Sequence, residues 1–171
     1  MNEIIVVGLA GFAAAFVDGS LGMGFGPTSS SILLSSGVSP VGVSATVNIA
    51  KVVTGVVGGA SHWRFGNVDW RIVRRLAIPG SIGALIGTFV LTNVDGDSLR
   101  PVLAALLALV GMRILMRFRR PLDGSEITGG EQGRVAGIEI AGAAGGVTNG
   151  LIGAWGPVVT PFLLHRRIAP R

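Results

Sequence analysis

The chain has 171 residues, 49% hydrophobic and 13% charged, with a formal net charge of +5. A soluble domain carries about 25% charged residues, so this composition, with a mean hydropathy of +0.66, excludes a soluble globular domain and points to a polytopic membrane protein. The lack of cysteine excludes disulfides, thiolate metal sites and a cysteine nucleophile, and arginines placed in short loops between apolar spans, without interleaved aromatics, exclude nucleic acid as a partner.

Ile4 to Val17 is the first apolar segment. Its 14 residues fall short of the roughly 20 that cross a bilayer. The preceding residues lack a basic region, so no cleaved signal peptide is expected. Gly22 to Ser36 is a second short segment. The two form a helical hairpin whose Gly19 to Pro27 turn must lie inside the protein, because irregular backbone at membrane depth needs protein or water around it. Gly37 to Pro40 is a turn, and Val43 to Ala60 is a span rich in small residues that allow close helix contact.

His62 to Arg75 reads as a short loop carrying Arg64, Arg71, Arg74 and Arg75, with Trp63, Trp70 and His62 as interfacial anchors. Ile72 to Leu91 is a span containing Gly80, Gly83 and Gly87. Gly83 and Gly87 have GxxxG spacing, a helix-packing signal. Thr92 to Ser98 is an acidic loop, and Leu99 to Met116 a conventional apolar helix. Arg113 to Arg134 is the long polar stretch and reads as a flexible link. Val135 to Gly146 and Leu151 to Leu164 then form another hairpin. The organisation is a first membrane repeat at 1–117, a cytoplasmic linker at 118–134 and the start of a second repeat at 135–171.

The second hairpin repeats the first. Phe16 to Pro40 lies without a gap on Gly146 to Pro170, with seven identities in 25 positions, where chance gives roughly two. Loop charge then orients the copies. The arginine-rich loops at 64–75, 113–134 and 165–167 belong in the cytoplasm and the acidic loop at 93–98 outside. The N-terminus is then outside, and each hairpin makes two crossings or none. The copies are opposed, as in the inverted repeats of many secondary transporters. The expected fold is all-α, with about five to seven membrane segments, re-entrant hairpins and a truncated second repeat. The second copy has no partner spans here, so the chain either continues beyond Arg171 or dimerises.

These residues resemble the first half of the TauE/SafE family, the sulfite exporter-like permeases. The resemblance rests on order and spacing: Gly22/Gly24/Gly26, Gly37 to Pro40, Ala45/Thr46, Gly66 to Trp70, then Gly80/Gly83/Gly87. In the second copy, GLIGAWGPVVTPFLL matches the family's second Gly-Pro motif. Ser31 stands where the family has proline, while Pro161 keeps it in the second copy. The resemblance implies passage of small anions such as sulfite or organosulfonates across the cytoplasmic membrane.

Helix N-termini present unpaired N–H groups and a positive dipole end. The candidate anion-binding residues are therefore Gly22, Gly24, Gly26, Pro27, Thr28 and Ser29 in the first copy, and Gly153, Trp155, Gly156, Pro157 and Thr160 in the second. Tight packing of small residues would explain the same pattern. Lys51, the only lysine, stands about halfway along an apolar span, where a charge is costly and usually functional. It either meets an anionic substrate, pairs with Asp18 or snorkels to an interface. Asn48 shares its face, and Thr46 lies nearby. Asp18 either couples an ion, pairs with Lys51 or caps a helix. Glu139 reads as interfacial. No cofactor or metal site is expected. No phosphate-loop motif occurs, and no Ser/His/Asp set can be assigned. A non-transporting module of a larger complex and a membrane-embedded enzyme are the alternatives.

Overall fold

The computed structural model describes residues 3–118 and 137–165. Among these residues there are seven helices and no strand: α1 (Glu3–Leu21), α2 (Phe25–Ser35), α3 (Pro40–Arg64), α4 (Trp70–Asn93), α5 (Gly96–Phe118), α6 (Ile138–Ile152) and α7 (Gly156–His165). Three of them, α3, α4 and residues 96–116 of α5, are long and apolar enough to cross a membrane. Of the flexible link expected over 113–134, residues 113–118 are the last turns of α5, and 119–134, like the arginines at 166 and 167, lie outside the described residues.

The helices start where side chains can cap them. Pro40 opens α3, and the Ser39 hydroxyl accepts from Gly42 N at 3.2 Å. Asp69 caps α4 by accepting from Arg71 N at 2.9 Å. These caps shorten the loops relative to the sequence reading. The expected loop from His62 to Arg75 is irregular only over 65–69, and its arginines sit on helix ends. At the far side of that turn, Gly66 adopts φ +70° and closes α3 with Asn67 N donating to His62 O.

The two hairpins break at nearly equivalent places, 22–24 and 153–155. The first break is narrower than the expected Gly19 to Pro27 turn. The second lies later than the expected 147–150, because Asn149 and Gly150 are packed into α6 and not turned out of it.

α2 folds back along α1, with Gly24 against Val17 and Leu33 packed with Ala10. Their open end is the end where α3 begins, and Gly96 at the start of α5 lies beside Pro40 there. α7 folds back along α6, with Val159 against Gly145 and Phe162 against Gly137. Their open end is where α4 begins, because Arg75 and Glu139 form an ion pair at 3.7 Å. The hairpins thus enter from opposite ends of the bundle. Both return to the end they came from.

The second hairpin is seated on the first repeat. α4 and α6 form the largest helix–helix interface. They run parallel, with Leu76 beside Gly142, Gly80 beside Gly146 and Ala84 beside Gly150. Glycine is needed along this seam. A Cβ at Gly87 would lie 2.5 Å from Val147 O, and one at Gly150 would lie 2.5 Å from Ala84 O. Backbones at such separation make close dispersion contact along the whole seam, which is how helices associate in lipid. The GxxxG pair Gly83 and Gly87 is part of it.

Candidate functional site

The hairpin tips touch in the interior. Gly26 at the start of α2 rests on the backbone of Gly153, and Gly156 at the start of α7 rests on Met23. A side chain at Gly26 would collide with the Gly153 carbonyl. The tips meet beside the middle of α3, whose midpoint between Pro40 and Arg64 falls at Val52. Lys51 is one residue away.

At this depth α6 ends among buried residues, Gly150, Ile152, Gly153 and Ala154. Side chains from α2, α3 and α6 itself reach several of their carbonyls. Ser44 Oγ donates to Gly150 O at 2.6 Å, and Ser30 Oγ to Ile152 O at 2.8 Å. Thr148 Oγ1 donates to Ala154 O at 2.8 Å. Lys51 Nζ donates to Gly153 O and, at 2.8 Å, to Asn149 Oδ1. An ammonium group here also meets the negative end of the α6 dipole. Asn48 and Asn149 pair side chain to side chain at 2.9 Å, and Asn48 Nδ2 reaches Asn149 O at 3.3 Å.

The two helix N-termini at the tips differ. On α2, Asp18 Oδ1 accepts from Gly24 N at 2.8 Å and Phe25 N at 3.1 Å. The carboxylate of α1 thus fills the anion cradle of α2, supplying the cap that Gly24 cannot. The equivalent residue in the second copy is Thr148, which donates to a carbonyl instead. The N–H groups of Trp155 and Gly156 at the start of α7 have no hydrogen-bond partner among the described residues.

Most of the candidate residues fall at the tips. Gly24, Gly26, Pro27, Gly153 and Pro157 are buried there. Gly22 is exposed with φ +72°, as a sharp turn requires. Ser29 is 3% exposed, and its hydroxyl has no partner among the described residues. Trp155 places its ring against Gly80 of α4 and Gly145 of α6, where it packs. Thr160 is half-buried in the first turns of α7. Thr28 points about 160° round α2 from Gly26, and Thr46 about 140° round α3 from Lys51, at 3.6 residues per turn. Neither joins the cluster. Among the described residues Lys51 has no carboxylate in ion-pair range. Ser30, expected as a hydroxyl donor to an anion, donates to Ile152 O instead, and Ser44, Thr148 and Asn149 were not singled out from the sequence. The signal that could have found Asn149 is that it is the one amide side chain in α6.

Residues 7–170 match the family described as Sulfite exporter TauE/SafE. The chain belongs to the TauE/SafE family. It is similar to the probable membrane transporter protein YtnM of Bacillus subtilis (strain 168), at 41% identity over 176 residues, covering 100% of this chain and 58% of that protein. No solved structure matches it. Membership of TauE/SafE, with three helices apolar enough to span among the described residues, places the chain in a membrane. In this TauE/SafE chain the motifs read from Gly22 to Pro40 and from Gly150 to Leu164 cover the tips and second arms of the two opposed hairpins.

Proposed function

We propose that the chain forms part of a permease for small anions, sulfite or organosulfonates among them, driven by an ion gradient across the cell membrane. The observation that carries the reading is the unequal pair of tips. The α2 cradle already contains the carboxylate of Asp18, whereas the amides of Trp155 and Gly156, at the start of a helix, have no partner among the described residues. A helix N-terminus with free amides suits an oxyanion. Lys51 adds positive charge at the same depth, and the Ser29 hydroxyl is a donor in reserve. The anion would sit at the α7 tip, and Asp18 would hold the other tip closed.

In this reading the end carrying Arg64, Arg71, Arg74 and Arg75 faces the cytoplasm, and the N-terminus and the 36–39 turn face outside. The chain spans 58% of the length of its Bacillus relative, which supports a role as one portion of a larger permease. The test is protein-dependent flux of sulfite, an organosulfonate and chloride into proteoliposomes. Sulfite or sulfonate flux above that of chloride, lost in Gly156→Leu, is the expected result. Equal leakage of all three anions in the wild type would overturn the reading.

A further inference from the structure

α2 ends at Ser35, at the end of the bundle where α5 begins beside Pro40. The two helices meet at Leu34, which packs on the cluster that includes Leu103 and Leu107. Beside this contact lies a groove of about 550 Å3, lined by Leu34 and Ser35 of α2 and by Arg100, Ala104, Leu107 and Ala108 of α5, among others. Ala104 and Ala108 are exposed and one turn apart, so their methyls leave open a trough that longer side chains would fill. From Arg100 to Ala108 the trough runs about 12 Å along the helix. That is most of one leaflet of a hydrocarbon core about 30 Å thick.

Arg100 stands at the mouth of the trough. Its place is unusual among the described residues: Arg64, Arg71, Arg74 and Arg75 flank the 65–69 turn at the opposite end of the bundle. Its partner is Asp97, 3.7 Å away, with a side chain 88% exposed. Such a surface pair contributes little, and it leaves most of the five guanidinium N–H donors for another acceptor.

A cation at headgroup level with hydrocarbon below it matches the polarity of a lipid. We infer that this groove binds one anionic phospholipid, with its phosphate on Arg100 and one acyl chain along Ala104 and Ala108. The arginine fork takes two phosphate oxygens at once. A zwitterionic headgroup brings its own cation, which competes with Arg100 for the phosphate. A packing helix would suit the two alanines but offers nothing of itself to the guanidinium, whereas the lipid satisfies both ends of the groove in one molecule. α2 is 11 residues long, and Gly26 at its inner end closes on Gly153. Lipid wedged between α5 and the outer half of α2 therefore braces the arm that carries the tip, whatever the protein transports.

Photolabelling tests the site. The 171-residue chain is reconstituted in phosphatidylcholine vesicles with a trace of phosphatidylglycerol carrying a diazirine in its acyl chain, and adducts are mapped by peptide mass. Adducts at 104–108 are expected, about fivefold above those from a diazirine phosphatidylcholine at the same level. The excess should vanish in Arg100→Gln, a change at an exposed position that leaves the apolar trough intact. Equal labelling by the two lipids, an excess that survives Arg100→Gln, or absence of adducts at 104–108 would overturn the inference.

Discussion

Lys51 Nζ donates to the backbone carbonyl of Gly153, joining the middle of α3 to the exit of α6. The two residues lie 102 positions apart, on opposite copies of the repeat. The cation therefore contributes to the architecture before any substrate arrives. Lys51→Met leaves the Gly153 carbonyl and the Asn149 amide without their donor. The expected loss is about 1–3 kcal/mol of stability, read as a lower unfolding temperature in detergent. Lys51→Arg retains charge and donors and should lose less.

Asp18 separates two roles by isosteric substitution. Asp18→Asn keeps an acceptor oxygen for Gly24 N and Phe25 N, whereas Asp18→Ala removes it at a cost of about 1 kcal/mol. A capping residue predicts near-normal thermal stability and anion flux in the amide variant. Flux abolished in Asp18→Asn at unchanged stability would assign Asp18 to ion coupling instead.

Glycine substitutions should divide sharply. Gly83→Ala and Gly146→Ala each put a methyl into the facing backbone, at Ala143 and Gly80 respectively. Both should lower the unfolding temperature markedly, by an amount corresponding to about 2 kcal/mol or more. At Gly58 a methyl meets nothing. Gly58→Ala should be neutral or stabilise α3 by up to about 1 kcal/mol. Equal effects at all three positions would contradict the α4–α6 seam.

The lack of cysteine makes topology accessible to single-cysteine labelling. Ser36→Cys in the turn before α3 should react with an impermeant maleimide added to intact cells. Asn67→Cys in the turn before α4 should react only after permeabilisation. Labelling of both from one side would refute the opposed entry of the two hairpins.

Much of this arrangement was legible in the sequence because the repeat is written in residues with few alternatives. Gly26, Gly156 and the prolines after them mark both breaks. Gly83 and Gly87 mark a packing face. The second break was misplaced because Asn149-Gly150 looks like a turn. Tertiary contacts override that local preference: Asn149 is bonded by Asn48 and Lys51, and Gly150 is pressed against Ala84. The partners of Ser30 and Ser44 could not be assigned, since a hydroxyl in an apolar helix bonds its own backbone as readily as a distant carbonyl. Which carbonyl it meets depends on the α6 exit, more than 100 residues further on.

The end of α6 dissolves in side chains. Ser30, Ser44, Asn48 and Lys51 take the place of water around its final carbonyls. Unlike water, this solvent is anchored to α2 and α3 and cannot flow after a helix that slides. A displacement of α6 by one residue along α3 would leave several polar groups bare in hydrocarbon, at a cost of several kcal/mol each. Any motion of this tip must therefore carry α2 and α3 along as one block, with the slip occurring at surfaces that have no such bonds.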